Sequence, residues 1–190
     1  NKAPSVLKQL NFLVGEDAFQ RGVRQFLSKY AYSNATWQDL LASIGGASHR
    51  DLTGWGQQWM LRPGMPEVET RLTLRDGRVE QLRLVQAPVQ PVVSGKGSWP
   101  LRTRIVVARA PQPCDSTCVI SGAIGAYVPV DVELRGAITY VAAARGIPDV
   151  RFVYTNYEDY GYQQVRLDSA SRRALLNGAL PKVEDPLLRA

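Results

Sequence analysis

The spacing of apolar residues changes period near residue 66, and this change constrains the fold more than any other feature of the sequence. Through residues 1–62 the apolar side chains recur every three or four positions, which is the spacing of one helix face. The phrase Pro63-Gly64-Met65-Pro66 then breaks the helical pattern. From Glu67 onward apolar and polar residues alternate, as in a half-buried strand. The pattern predicts an α+β chain in several parts, with an N-terminal helical segment followed by β-structure.

Helix start and stop signals divide the first part into several predicted helices. Gly15 ends the first helix, and acidic residues directly after it suit the positive N-terminal end of the second. Thr36, with Asp39 three residues later, predicts a capping box for the third. We expect Gly45-Gly46 to stop that helix and Ser48 with Asp51 to cap a fourth. The apolar faces are expected at Val6, Leu7, Leu10, Leu13 and Val14, at Phe19, Val23, Phe26, Leu27 and Tyr30, at Trp37, Leu40, Leu41 and Ile44, and at Leu52, Trp55, Trp59 and Met60.

Short alternating segments separated by Gly and Pro predict an antiparallel sandwich or barrel in the middle of the chain. Beyond the first two strands, we expect strands at 101–108, 119–124, 127–134, 138–142 and 150–154. A short extended stretch at 162–167 and short C-terminal helices follow. We expect residues 169–190 to be helical but poorly anchored, because their leucines lack a complete domain to bury them. The tail should then fray, or pack on its own sandwich or on a neighbouring chain.

The Asp76-Gly77 dipeptide predicts a hairpin between the first two strands. A two-residue loop would pair Arg75 with Arg78 and would place the leucines of the two strands on opposite faces. A three-residue loop from Arg75 to Gly77 would put Leu72, Leu74, Leu82 and Leu84 on one face. We expect the three-residue loop, because burying each leucine contributes about 1.5–3 kcal/mol.

Composition excludes several classes of protein. Hydrophobic residues make up 45% and charged residues 21% of the chain, as in ordinary globular proteins. No apolar run approaches the roughly 20 residues that a membrane-spanning helix needs. The net charge of +6 is spread along the sequence without a basic stripe, so neither a nucleic-acid partner nor a membrane partner is expected.

The chain contains no recognisable catalytic or metal-binding set. His49 is the single histidine and falls in a predicted loop, where it serves no Ser/His/Asp triad. Cys114 and Cys118 supply only two ligands where a structural zinc site needs four, and their spacing leaves disulfide and free thiols equally open. The glycines of segment 94–98 lack the spacing of a phosphate-binding loop. We therefore predict no catalytic, cofactor-binding or metal-binding residue in this chain.

Two aromatic sets are candidates for packing or for ligand binding. Trp37, Trp55 and Trp59 fall on apolar helix faces, where core packing is the simpler interpretation. Four tyrosines cluster after the last sandwich strand, at Tyr154, Tyr157, Tyr160 and Tyr162. They could stack on a sugar or a peptide, but filling a seam between domains is the more common role of such a set.

Several phrases, in order, resemble the zinc-dependent aminopeptidase N family. The phrases cover essentially the whole chain: residues 1–10, Val14 to Phe19, Asn34-Ala35-Thr36-Trp37-Gln38-Asp39-Leu40, Trp59 to Gly64-Met65-Pro66, Gln86 with Trp99-Pro100-Leu101, and residues 156–168. The resemblance implies three parts. Residues 1–65 are the helical end of a thermolysin-like catalytic domain, 66–155 a β-sandwich domain, and 156–190 the start of a C-terminal helical domain.

The resemblance also implies a zinc site outside this chain. The family holds zinc with HExxH and a downstream Glu, and it stabilises the oxyanion with a Tyr in a Tyr-x-Lys phrase. Asn1-Lys2 matches the end of that phrase, so the Tyr would directly precede Asn1. The expected partners are the rest of the parent protein and its peptide substrate. The compartment stays open, with the cytoplasm slightly favoured.

The sequence thus predicts a non-catalytic fragment of a zinc aminopeptidase, inactive by itself, whose sandwich spaces the neighbouring domains. The lack of Met at Asn1 and the apparently unfinished helix at Leu187-Leu188 support an excised piece. Two alternatives remain: a self-contained β-sandwich binding module, and a fragment of a catalytically inactive relative that serves as a scaffold.

Overall fold

The computed structural model describes residues 2–112 and 123–183, which form helices first, then two sheets, then short C-terminal helices. The predicted α+β class is confirmed. The helices are α1 (Lys2–Val14), α2 (Glu16–Lys29), α3 (Trp37–Ser48), α4 (Thr53–Gly56), α5 (Pro91–Ser94) and α6 (Ser169–Ala174). Helix α4 continues as a wide π-helical turn, Gln57–Leu61, and α6 continues as a similar turn, Leu175–Ala179. Short 3₁₀ turns lie at Ala142–Ala144, Tyr157–Asp159 and Leu180–Lys182.

The capping box of α3 is confirmed. The Thr36 hydroxyl accepts a hydrogen bond from the Asp39 backbone N–H at 3.3 Å, and the Asp39 carboxylate accepts one from the Thr36 N–H at 2.9 Å. The Thr36 hydroxyl also donates to this carboxylate, and these bonds hold the pKa of Asp39 below its usual value. The local sequence therefore fixes where this helix begins.

The predicted end of α3 is wrong. The helix runs through Gly45-Gly46 to Ser48 and ends at His49, which adopts a left-handed conformation with φ 54°. A glycine inside a helix costs about 1 kcal/mol, and burial of the flanking Ile44 and Ala47 offsets that cost. Ser48 therefore lies inside the helix and is not a cap.

The residue that orders the start of α4 is Asp51. Its carboxylate accepts a hydrogen bond from the Thr53 N–H at 2.8 Å. The sequence pattern thus contained the right acidic residue but the wrong partner for it.

The strands form a four-stranded and a three-stranded sheet. The first has the order β5 (Ile138–Tyr140), β2 (Arg78–Pro88), β1 (Pro66–Arg75) and β7 (Gln164–Arg166); the second has the order β4 (Ala126–Leu134), β3 (Leu101–Arg109) and β6 (Val150–Tyr154). All pairs are antiparallel except β7, which lies parallel to β1. The strands predicted at 101–108, 127–134 and 150–154 are confirmed, and β5 is shorter than predicted.

One continuous core joins the helices to the inner faces of both sheets. The four-stranded sheet contributes alternate residues such as Val68 and Leu84, and the three-stranded sheet contributes Ile105 and Val107. From the helices, Val6, Leu10, Leu41, Ile44, Trp55 and Trp59 belong to the same cluster. The predicted strand at 119–124 falls mainly outside the described residues, and Ala123 and Ile124 are not in a strand.

The hairpin prediction is wrong about the turn. Arg75 pairs with Arg78, so the loop has two residues, and both Asp76 and Gly77 have positive φ (50° and 71°), as a type I′ turn requires. A bulge near Glu80 then shifts the register, so that Leu74 pairs with Val79 but Leu72 pairs with Leu82. The bulge supplies the extra residue that we expected in the loop. Turn preference and a common apolar face are therefore both satisfied.

The outer faces of the two sheets differ. On the three-stranded sheet, the Phe12 ring of α1 lies against Arg102 and Arg104, and Ala179 and Val183 pack on Ala108 and Phe152. Of the outcomes expected for the tail, the structure thus shows packing on its own sheets through residue 183; Leu187 and Leu188 lie outside the described residues. The four-stranded sheet instead exposes 53% of Ile138 and 61% of Tyr140. Over the described ranges, no helix is long and apolar enough to cross a membrane.

Candidate functional site: an aromatic seam between helices and sheets

The predicted candidates for chemistry do not assemble into a reactive centre. His49 caps α3 with its backbone N–H, which lies 3.4 Å from the Gly46 carbonyl oxygen. Cys114 and Cys118 lie outside the described residues. Within the described part of the chain, no group of three or more His, Cys, Asp or Glu residues could hold a metal ion. The most highly organised region is instead the seam where the helices meet the sheets.

Trp59 is the centre of this seam. Its ring lies 6.3 Å, centroid to centroid, from the rings of Trp55, Trp99 and Tyr162. Its indole N–H donates to the Pro100 carbonyl oxygen at 2.7 Å, and only 1% of the residue is exposed. A buried Trp whose N–H has a partner gains apolar burial without leaving an unsatisfied donor. The predicted core packing of Trp55 and Trp59 is therefore confirmed.

The Trp-Pro-Leu phrase is held against the core by a glutamine. The Gln86 amide donates to the Trp99 carbonyl oxygen at 3.1 Å, and its oxygen accepts from the Trp99 N–H. Both residues are buried. The glutamine therefore pairs with the backbone of Trp99, two residues before β3 begins.

Arg62 lies at the edge of the seam, directly after the π-helical turn, and was not among the predicted functional residues. Its guanidinium lies 3.5 Å from the centroid of the Trp99 ring. It also donates to backbone carbonyl oxygens of the β2–β3 loop, including those of Ser94 at 2.8 Å and Ser98 at 3.2 Å. In this loop, backbone carbonyl oxygens point at a cation. A phosphate-binding loop does the opposite, because its backbone N–H groups point at an anion. The carbonyl oxygens of the loop at 94–98 thus bind the Arg62 guanidinium.

Arg62 also contacts the start of α1 through its own carbonyl oxygen. Lys2 donates an Nζ hydrogen bond to that oxygen at 2.8 Å, and burial lowers the pKa of both Lys2 and Arg62. Three segments that are distant in sequence therefore meet at one residue.

Each of the four tyrosines has different neighbours. Tyr162 joins the tryptophan seam, and Tyr160 stacks on Phe12 of α1, with ring centroids 4.0 Å apart and planes 10° apart. Tyr157 stacks on Tyr127 at 6.2 Å. Tyr154 packs with the cluster under the C-terminal segment. Tyr160 and Tyr162 thus pack against the helical segment, and the four rings do not form a common stacking surface.

Arg104 organises the polar rim next to Tyr160. Its Nε donates to Asp131 at 2.6 Å, another nitrogen donates to Glu158, and the guanidinium lies 5.2 Å from the Tyr160 ring centroid. The hydrogen bond from Arg104 holds the pKa of Asp131 below its usual value, and the same bond raises the pKa of Arg104. This network ties β3 to the turn that precedes β7.

Asn156 shapes that turn. Its side chain accepts from the Gly161 N–H at 2.7 Å and donates to the Gly161 carbonyl oxygen at 2.9 Å. Glu158 and Asp159 both have positive φ, 63° and 55°, which is uncommon for residues other than glycine. The paired amide closes the loop and offsets this strain. As a result, Tyr160 and Tyr162 are presented to α1.

A cavity lies between α3 and α4. It has a volume of about 470 Å³. Its wall includes Trp37, Leu41 and Leu61 as apolar members and Arg50 and Asp51 as charged members. It contains none of the seam residues described above.

Comparison with known proteins identifies the family. The sequence model of the peptidase family M1 domain matches residues 1–59. Aminopeptidase N of Streptomyces lividans is 31% identical over 175 residues, which cover 90% of this chain and 19% of that protein. The chain belongs to the M1 aminopeptidase family. Leucyl aminopeptidase of Saccharolobus solfataricus, another relative, is 35% identical over 106 residues, or 50% of this chain and 13% of that protein.

A solved structure supports the fold of this M1 chain. The crystal structure of Legionella pneumophila aminopeptidase A in complex with aspartic acid superimposes with a TM-score of 0.61 over 99% of the chain, at 18% sequence identity. The chain corresponds to 20% of that structure and to 19% of the Streptomyces protein. Membership of the M1 family implies zinc in the parent protein. The described residues offer no fitting ligand set, so none is assigned to that metal.

Proposed function

We propose that this chain is a non-catalytic part of a longer zinc aminopeptidase that removes N-terminal residues from peptides. The aminopeptidase relatives, of which the chain spans about a fifth or less, support this proposal. In it, residues 1–65 complete the catalytic domain, 66–155 form a spacer, and 156–190 begin the C-terminal domain. Zinc, held elsewhere in the parent, would activate the water that attacks the peptide bond.

The packing of Trp59 is the observation that supports the spacer role. Its ring contacts a helix residue, Trp55, a residue next to β3, Trp99, and a residue next to β7, Tyr162. One buried side chain thus contacts a residue from each of the three proposed parts, which supports the proposal. A rigid seam of this kind would set the distance and angle between the catalytic domain and the C-terminal domain.

The spacer role can be tested in the longer protein with Trp59→Ala. We expect hydrolysis of a ten-residue peptide to fall at least tenfold more than hydrolysis of an amino-acid anilide, because only the long substrate reaches the C-terminal domain. Leu27→Ala, at an exposed position of α2, is the control and should change neither rate. An equal loss for both substrates would show that Trp59 supports only the catalytic domain.

The isolated chain tests the non-catalytic role. Purified residues 1–190 should contain no stoichiometric zinc and should not cleave amino-acid anilides. One tightly bound zinc per chain, or clear cleavage, would contradict the proposal. A longer protein that binds zinc and is active would exclude the alternative of an inactive relative. The alternative of a sugar-binding or peptide-binding module loses its main support, because the four tyrosines lie apart.

A further inference from the structure

The outer face of the four-stranded sheet carries two pairs of arginines that lie directly opposite each other. Arg71 pairs with Arg83, and Arg75 pairs with Arg78, in the β1–β2 register. Like charges directly opposite on one face of a sheet repel each other and destabilise it. This repulsion is a cost to the fold, so the two arginine pairs suggest a role outside the fold.

A fifth arginine lies between these two pairs. Arg145 lines a depression of about 430 Å³ together with Thr73, Glu80 and Gln81. The Thr73–Gln81 pair lies between the Arg71–Arg83 pair and the Arg75–Arg78 pair, so this depression lies between the two pairs of arginines. Side chains on one face of a strand repeat every second residue, which places neighbouring rows about 7 Å apart. Cationic groups therefore recur along the face at a strand-like interval.

The guanidinium groups of two of the five arginines have no partner among the described residues. Arg71 lies 3.3 Å from Glu69, Arg75 lies 2.5 Å from Glu80, and Arg78 donates to the Gly146 carbonyl oxygen at 3.2 Å. By contrast, the guanidinium groups of Arg83 and Arg145 form no hydrogen bond or ion pair with any described residue. Their guanidinium groups are free to bind an anion, for which a carboxylate is a good bidentate match.

An apolar strip borders the arginines on one side. Tyr140 of β5 is the neighbour of Arg83, and Ile138 is the neighbour of Val85. Tyr140 and Ile138 are both more than half exposed. An exposed aromatic next to an unpaired arginine is typical of the residues that contribute most to protein interfaces.

We propose that this face binds an extended, acidic segment of another polypeptide. Carboxylates at alternate positions of an extended chain are about 7 Å apart, which matches the spacing of the arginine rows. They would pair with Arg83 and Arg145, and an apolar residue would contact Tyr140. Glu69 and Glu80 interrupt the cations on this face. An acidic peptide can have uncharged residues opposite Glu69 and Glu80, so that its carboxylates are not repelled there. A nucleic acid carries a phosphate at every nucleotide and would be repelled at both positions.

The test uses the 190-residue chain and a fluorescein-labelled peptide of eleven residues, with Glu and Ser alternating and Leu at one end. Fluorescence anisotropy should show saturable binding. A peptide with Gln in place of Glu should bind at least tenfold more weakly, and 300 mM salt should weaken binding severalfold relative to 20 mM salt. Failure to bind, or equal binding of the Gln peptide, would overturn the proposal.

Matched variants locate the surface. Arg83→Glu and Arg145→Glu should each weaken binding at least fivefold, and the two together at least twentyfold. Arg135→Glu, an exposed arginine beside β4, should leave binding within twofold. Arg83→Glu should also melt at the same or a higher temperature, because it replaces repulsion with attraction to Arg71. Binding unaffected by these changes, or tighter binding of a single-stranded DNA of equal charge, would contradict an acidic polypeptide at this face.

Discussion

The two sheets carry the same kind of inner face but opposite outer faces. The outer side of the three-stranded sheet packs against Phe12 of α1 and against the C-terminal segment, whereas the four-stranded sheet exposes Ile138, Tyr140 and arginine rows. Strand β3 shows the consequence in its sequence: four consecutive residues, Ile105 to Ala108, are fully buried. In β1, polar residues occupy every second position. Continuous apolar sequence therefore marks a strand covered on both faces.

The largest expected effect comes from the seam beneath the covered sheet. Trp59→Ala should lower the free energy of unfolding by about 3–5 kcal/mol, because it removes a buried ring and leaves a cavity. It also removes the hydrogen bond to Pro100. Urea denaturation followed by circular dichroism would measure the change. A loss below about 1 kcal/mol would mean that the helices and the three-stranded sheet do not unfold as one unit.

One substitution made on both outer faces tests the comparison directly. Val106 faces outward on β3 and is fully buried, while Val85 faces outward on β2 and is half-buried. Val106→Ala should cost about 2 kcal/mol, since two buried methyl groups contribute roughly 0.8 kcal/mol each and a cavity adds to the loss. Val85→Ala should cost less than half as much. Equal losses in urea denaturation would show that the outer faces are equally covered.

The hairpin of the open sheet offers a smaller effect with a matched control. Gly77→Ala should destabilise the chain by about 1–2 kcal/mol, because Gly77 has φ 71° and alanine disfavours this conformation. Gly46→Ala, inside α3 and with open space around the added methyl group, should stabilise by about 0.4–1 kcal/mol. Thermal melts of the two variants should shift in opposite directions. A melting temperature that Gly77→Ala leaves unchanged would argue against the two-residue turn.

The smallest effect is a pH dependence at the rim of the covered sheet. The hydrogen bond from Arg104 depresses the pKa of Asp131, so this pair stabilises the fold above the ordinary carboxyl pKa of about 4 and less as the pH falls through the depressed value. Arg104→Gln should therefore be less stable than wild type at pH 6, and this difference should shrink toward pH 2. A difference independent of pH would mean that Arg104 acts through packing on Phe12 alone.

Local signals predicted the elements, and contacts between distant residues account for most of what was missed. The Thr36–Asp39 cap and the strand at 150–154 follow from neighbouring residues, so the sequence was sufficient for them. The predicted end of α3 was wrong because burial of Ile44 and Ala47 outweighs the free-energy cost of glycine inside a helix. The hairpin turn was wrong because a bulge can restore the register further along the strand.

The seam was only half predictable for the same reason. The spacing of Trp55 and Trp59 indicates a buried helix face. Arg62 instead binds backbone carbonyl groups, and because every residue has one, the residue types of the loop do not reveal this contact. A charged residue next to a proline-glycine turn normally suggests solvent. The signal that could have found it is the unusual glycine density of the loop at 94–98, which lets several carbonyl groups turn toward one point.

The parallel pairing of β7 with β1 determines how the molecule carries tension. The helical segment enters β1 at Pro66, and the C-terminal segment leaves β7 at Arg166, while Glu67, Val68 and Glu69 pair with Gln164, Val165 and Arg166. A force that pulls these two segments apart acts along both strands in opposite directions. Such a force acts in shear on all hydrogen bonds between the two strands at the same time. The bonds therefore break together and not one after another. The short strand β7 is thus a mechanical latch between the helical segment and whatever follows the sheets.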